Sequence, residues 1–146
     1  MNKPYHGAGI LIWTVDEQDN IMVFLGKRSI NPAKGKWSIP GGGWDEKKDL
    51  YNHKGKPNYL KTALRETSEE IYYSIEDINQ VANLWKIHIP YFNFEVYSLN
   101  ISKQRNFNCN FEFSEMKWFL IDSLPSSCII FLKSQVSRLK KQLKNR

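Results

Sequence analysis

The chain has 146 residues and a formal net charge of +6, with 41% hydrophobic, 14% aromatic and 25% charged residues. That composition excludes a disordered chain, and the length suits one domain, residues 1–146, burying roughly two thirds of its unfolded surface. No apolar run approaches the ~18 residues a membrane span needs, and the first seven residues lack a signal-peptide pattern, so neither a membrane nor a secreted protein is expected.

Residues 9–15 and 21–25 are β-rich apolar runs on either side of turn material, which predicts a hairpin. Residues 37–40 are a short extended piece closed by Gly41, Gly42 and Gly43. Residues 45–58 are polar and Lys-rich, with Gly55 and Pro57, and read as a loop. Leu60, Leu64, Thr67 and Ile71 form one stripe of a helix running from 60 to about 73. Residues 81–89 and 92–99 alternate as half-buried strands, and 117–121 reads as another. A turn at 122–125 leads into a last helix at about 127–144, with Ile129, Leu132, Val136, Leu139 and Leu143 on one face. Strands outnumber helices without simply alternating with them, so the fold class is α+β, a mixed sheet covered by helices.

The excess charge belongs to the tail. Lys133, Arg138, Lys140, Lys141, Lys144 and Arg146 face no acid within 133–146, and the remaining residues hold 15 cations and 15 anions. The plain reading is a docked surface helix with its cations in water; attraction of RNA or another anion is the alternative. Cys109 and Cys128 are too few for a disulfide framework, which points to a reducing, cytoplasmic setting.

The stretch 65–70 carries the chemistry. On a helix, Glu66 lies three and four residues from Glu69 and Glu70, so three carboxylates crowd on one side, read here as opposite the apolar stripe. Such crowding destabilises a helix unless a cation neutralises it, and a hard divalent ion with oxygen ligands does so. Arg65 is four residues from Glu69 and can pair with it; an acidic surface face held by that pair is the bland alternative. Upstream, three consecutive glycines let the backbone approach a ligand closely.

Pro40-Gly41-Gly42 followed by Arg65-Glu66, Glu69 and Glu70 resembles the Nudix hydrolase signature, Gx5Ex7REUxEExGU with U apolar. Gly26, Arg28, Gly35, Trp37 and Ala63, and later Glu112, Glu115, Trp118 and Pro125, extend the resemblance over most of the chain. Three positions depart from it. The step from Gly42 to Arg65 has nine extra residues. Pro57 stands where the signature has Glu, with Glu46 and Asp49 as candidate substitutes. Tyr72 replaces the glycine that usually closes the helix, so the helix is expected to run on beyond it.

The resemblance implies an α/β/α sandwich that hydrolyses a nucleoside diphosphate linked to another group, using Mg²⁺ or Mn²⁺. It implies Glu66 and Glu70 as leading metal ligands, with Glu69, the Gly41 carbonyl and Glu112 as further ones. Arg65 orients the carboxylates, and Glu66, then Glu69, is the choice for general base. Arg28 is a candidate phosphate contact and Trp44 a candidate base contact, while Trp37 is expected to pack and Glu115 to be a surface acid. The same departures also motivate a non-catalytic nucleotide-sensing module. His6, His53 and His88 have no metal or triad spacing. Oligomeric state is open, with a homodimer among the options.

Overall fold

The computed structural model describes residues 3–145; Met1, Asn2 and the expected tail cation Arg146 lie outside them. The strands are β1 (Tyr5–Val15), β2 (Ile21–Arg28), β3 (Trp37–Ser38), β4 (Gly41–Gly43), β5 (Val81–Ile89), β6 (Phe92–Asn100) and β7 (Phe113–Leu120). The helices are α1 (Glu46–Asp49), α2 (Tyr59–Ile71) and α3 (Leu132–Lys144). No described helix is long and apolar enough to cross a membrane.

β1 is the hub of a mixed sheet. It runs parallel to β6 from Tyr5↔Phe92 to Trp13↔Asn100, and β6 pairs antiparallel with β5. On its other edge, β1 pairs with β2 only at residues 13–15. Beyond that the two strands part, and β3 and β4 fill the wedge: Gly26 pairs with Ser38, and Gly9 with Gly41. The outer edge of β2 pairs with β7. The wedge needs glycines, because a Cβ on Gly9 would lie 2.6 Å from the Pro40 carbonyl oxygen and one on Gly41 2.6 Å from that of Ala8.

Strand periodicity then sorts the core into two layers. Leu11, Trp13, Val23, Leu25 and Val96 pack against Leu132, Val136 and Leu139 of α3. Ala8, Ile10, Ile12, Phe24 and Leu99 pack against Tyr59, Ala63 and Ile71 of α2. The sheet therefore lies between helices, and the α+β sandwich expected from the sequence is present.

Four local expectations change. The last helix begins at Leu132, not near 127, because residues 127–129 extend alongside β3: the Trp37 amide donates to Ser127 O and the Ile129 amide to Trp37 O, at 2.8 and 2.9 Å. The final strand begins at Phe113, four residues before the expected start. The segment 45–58 is ordered by its own hydrogen bonds. Asp45 caps α1 by accepting from the Lys47 and Lys48 amides, and Asn52 accepts from the Lys54 and Lys56 amides. The Asn58 amide then donates to Leu50 O at 3.1 Å, so the inserted chain closes on itself before α2.

Finally, α2 stops at Ile71 rather than running on. Tyr72 itself adopts the left-handed conformation, φ 53° and ψ 36°. Asn110 closes the end from outside: its backbone amide donates to Glu70 O at 2.9 Å and its side-chain amide to Glu69 O at 3.1 Å. Two carbonyls that a helix end leaves unpaired are thereby satisfied.

Candidate functional site

α2 is rotated from the face its apolar stripe suggests, although two of the stripe's four residues, Thr67 and Ile71, stay buried. Tyr59, Ala63, Thr67 and Glu70 are buried, while Leu60 and Leu64 are only partly so. At 100° per residue, the buried arc is centred roughly 80° from the stripe. Glu70 lies near that centre and is 1% exposed, so it is not part of an outward acidic face. Its position brings it under the wedge, where the Gly41 amide donates to its Oε1 at 3.0 Å. The other oxygen, Oε2, is buried without a partner.

Glu66, Glu70 and Glu112 each bring an oxygen into one cluster, all within 4.8 Å of one another. Glu112 comes from the chain before β7, held where its carbonyl accepts from the Ser29 amide and its own amide donates to Asn110 Oδ1. Burial, and next the charge of Glu66, push the Glu70 carboxyl up to about 9. Burial also raises Glu66, against the opposing pull of Arg65. Gly42 makes room for Glu66: a Cβ there would lie 2.6 Å from its Cδ.

Arg65 ties the surrounding elements together. Its Nε and Nη2 donate to the two oxygens of Asp49 at 2.7 and 2.9 Å, and Nη2 also donates to Gly43 O at 2.9 Å. Its Nη1 reaches Glu66 Oε1 at 3.2 Å and Glu69 Oε2 at 3.1 Å. Asp49 is fully buried and also accepts from Thr62 Oγ1 and the Asp45 amide. Burial pushes its carboxyl up, but these hydrogen bonds outweigh burial and hold it below the ordinary aspartate value. Of the two candidates for the missing signature Glu, Asp49 is therefore the one that meets Arg65.

Glu69 stands apart from the three-carboxylate cluster; it is half-exposed and faces Arg65, with Lys48 4.0 Å away. The Gly41 amide faces Glu70, and β4 holds its backbone beside β1. Glu115 pairs with Lys117 on β7. Arg28 lines a cavity of about 600 Å³ together with Glu66 and Glu112, its Nε donating to Pro32 O. Trp44 does not line that cavity; its indole N–H donates to Leu50 O and its ring meets Tyr51, so it anchors the inserted segment. Trp37 is buried against Phe119. His6 meets Tyr59 and His88 meets Glu95, both outside the carboxylate cluster.

The sequence reading missed the far walls of the cavity. Tyr5, Phe92, Phe94, Phe131 and Gln135 line it from three separate elements and the turn before α3. Only the alternation of Phe92 and Phe94 hinted at it, since the parallel β1–β6 pairing that brings Tyr5 beside Phe92 has no local signal.

Three carboxylates at this spacing, one with an orphaned buried oxygen, suit a divalent cation with hard oxygen ligands. The chain matches the profile described as NUDIX domain over residues 5–139. A comparison with curated proteins finds no match. Among solved structures, the NUDIX domain of Shewanella oneidensis NrtR, complexed with ADP ribose, is 19% identical with a TM-score of 0.72, over 98% of this chain and 90% of that one. A C. elegans Ap4A hydrolase is 17% identical with a TM-score of 0.67, over 97% and 99%. A MutT/nudix family protein from Enterococcus faecalis is 20% identical with a TM-score of 0.67 over 82% of this chain, which spans 45% of that protein's length.

Proposed function

The chain belongs to the Nudix family, whose hydrolases act on pyrophosphate bonds, and we propose that it cleaves a nucleoside diphosphate derivative with the help of Mg²⁺ or Mn²⁺. The observation that carries this reading is the cluster of Glu66, Glu70 and Glu112 with the unpartnered buried Oε2 of Glu70. These three residues would hold the ion, and the Gly41 carbonyl is proposed as a further ligand. When bound, a divalent ion neutralises bridging phosphates and acidifies water.

The chain's own groups account for the rest. Glu66 is the proposed acceptor of the attacking water's proton. Glu69, which faces Arg65, is the second choice. Arg65 holds Glu66 in place from the Asp49 side, and Arg28, which lines the cavity wall, is the proposed phosphate contact. Candidate substrates are nucleoside triphosphates, dinucleoside polyphosphates, nucleotide sugars and RNA 5′ ends. ADP ribose and Ap4A, named with two structural neighbours, share an adenosine diphosphate unit.

Nucleotide sensing without cleavage has less support, because the departures that motivated it are accommodated. Asp49 stands opposite Arg65, the extra residues close on themselves, and Tyr72 with Asn110 ends the helix. A cytoplasmic setting is part of the proposal and rests on the free cysteines Cys109 and Cys128. RNA attraction by the tail and pairing with a second copy rest on the tail's charge and the sheet's open edges alone. The test is cleavage by the Glu70→Gln protein: loss of turnover with the fold retained supports the reading, and unchanged turnover removes Glu70 from it.

A further inference from the structure

His6, Asn93 and His88 form a row across three neighbouring strands. Asn93 of β6 is in register with His6 of β1 on one side and with His88 of β5 on the other. Side chains alternate along a strand, so this row, with Glu95 and Tyr97, lies on the sheet face opposite Tyr5, Phe92 and Phe94. It is the face that carries α2, since Tyr97 packs in one layer with Tyr59. Asn52, Lys56 and Asn58 of the inserted segment line a cavity of about 570 Å³ together with this row. The cavity at the carboxylate cluster shares no lining residue with it.

Hydrogen-bond accounting defines the ligand that suits this second cavity. Each side-chain carbonyl or carboxylate oxygen of its lining already has a partner. Asn52 Oδ1 accepts from the Lys54 and Lys56 amides, and Asn58 Oδ1 from the Lys61 amide. Glu95 Oε1 accepts from the Tyr97 hydroxyl at 3.2 Å, and its Oε2 lies 2.8 Å from His88 Nε2. Asn93 Oδ1 lies 2.8 Å from His88 Nδ1, while the Asn93 side-chain amide donates to Tyr5 O. What remains are donors. Among the described residues, the side-chain amides of Asn52 and Asn58 have no protein acceptor, and the Lys56 ammonium has no carboxylate.

His6 adds a fourth donor. Burial, and next Glu95, push the Tyr59 phenol up to about 12, so it keeps its proton. That hydroxyl lies 2.7 Å from His6 Nδ1, which is its acceptor. Burial, and next His88, lower His6, which leaves the ring neutral with its proton on Nε2. A cation would find no free carboxylate here. Three neutral donors and an ammonium suit a phosphoryl group, whose oxygens accept several hydrogen bonds at once. The buried rings of Tyr59 and Tyr97, with Pro57 and Leu60, leave apolar surface for the rest of a ligand, and the volume is in the range of small-molecule sites.

We propose that this cavity is a second ligand site, separate from the carboxylate cluster, that binds the phosphoryl group of a small molecule between the inserted segment and the β5–β6 hairpin. The insertion then has a use beyond closing on itself, because Asn52, Lys56 and Asn58 all belong to it.

The test is calorimetric titration of inorganic phosphate, ribose 5-phosphate, AMP and adenosine into the full chain, in chelator and about 0.15 M salt. Metal-free carboxylates repel anions, so the catalytic cavity contributes little under these conditions. At least one phosphorylated probe should bind with a Kd of about 1 mM or tighter, and adenosine should bind at least tenfold more weakly than AMP. Phosphate binding as tightly as AMP identifies the phosphoryl group as the whole ligand, and AMP binding about tenfold tighter identifies a nucleotide. Lys56→Ala removes an exposed cation and should weaken the tightest probe about tenfold with no loss of Tm. A second measurement needs no variant: in NMR spectra of the wild type, the side-chain amide signals of Asn52 and Asn58 should shift as that probe is added. Absence of binding by every phosphorylated probe, equal binding by Lys56→Ala, or shifts confined to Arg28 and the lysines of α3 would overturn the proposal. The chelator keeps this test apart from the hydrolase reading, so failure of either leaves the other standing.

Discussion

Arg65 and Asp49 form a two-pronged ion pair, Nε to Oδ1 at 2.7 Å and Nη2 to Oδ2 at 2.9 Å, across 16 residues of sequence. The pair joins α1 to α2 and leaves Nη1 free to hold Glu66. The inserted segment 50–58 falls between the partners, and its length is of no consequence to them because it returns to Leu50 at Asn58.

Asp49→Ala leaves a mostly buried guanidinium short of its carboxylate and should cost about 3 kcal/mol of stability. Chemical denaturation measures this. The pair also sets an acid limit. The folded carboxyl is held below its ordinary value, so its contribution is present above the unfolded pKa of about 3.9 and is lost as pH falls through the folded value. The stability gap between wild type and Asp49→Ala should therefore be full at pH 6 and narrow below about pH 4.

Glu70 has the opposite sign. Its folded carboxyl is raised to about 9, so the folded state binds a proton that the unfolded state has lost. In the metal-free protein the Glu70 contribution to stability is therefore full below the unfolded pKa of about 4.3 and declines as pH rises toward 9. Glu70→Gln should remove much of this decline, and saturating Mg²⁺ should offset it in the wild type. Thermal melts from pH 5 to 9, with chelator and with Mg²⁺, decide it. A metal-free Tm that is flat or rises over that range in the wild type contradicts the assignment.

Gly42→Ala places a methyl 2.6 Å from the Glu66 carboxylate carbon. The displaced carboxylate should lower Mn²⁺ affinity by about 10-fold or more, with a smaller effect on folding. Metal titration followed by calorimetry or paramagnetic relaxation reads the affinity directly. Equal affinity in the two proteins contradicts the placement of Glu66 in the metal site.

Tyr72→Gly relieves a left-handed tyrosine at an exposed helix end and should stabilise the protein by about 1 kcal/mol. Asn110→Ala should act in reverse, since both Asn110 amides cap carbonyls of α2. Urea denaturation of the two variants checks both signs.

Much of this architecture is legible from local pattern. Alternation marks β5 and β6, and the apolar spacing marks α2 and α3, because each signal lies within one element. What escapes is set by partners far along the chain. Residues 127–129 look like the start of a helix but pair beside Trp37, and Tyr72 ends a helix because Asn110 meets it. The site divides in the same way. Spacing alone groups Glu66, Glu69 and Glu70, yet the helix's rotation buries Glu70, brings in Glu112 and leaves Glu69 with Arg65. Gln135 sits in a stretch whose sequence signal is its charge, and only the docking of α3 shows that its side chain is inside.

The most direct measurement is phosphate release by wild type and Glu70→Gln across nucleoside triphosphates, dinucleoside polyphosphates, nucleotide sugars and 5′-triphosphate RNA, each with Mg²⁺, with Mn²⁺ and with chelator. The wild type should cleave one class, with cleavage abolished by chelator and at least 100-fold slower in a folded Glu70→Gln protein, on the order of the loss when a key electrostatic group is removed from an active site. Cleavage that persists in chelator, or at an unchanged rate in Glu70→Gln, would contradict it.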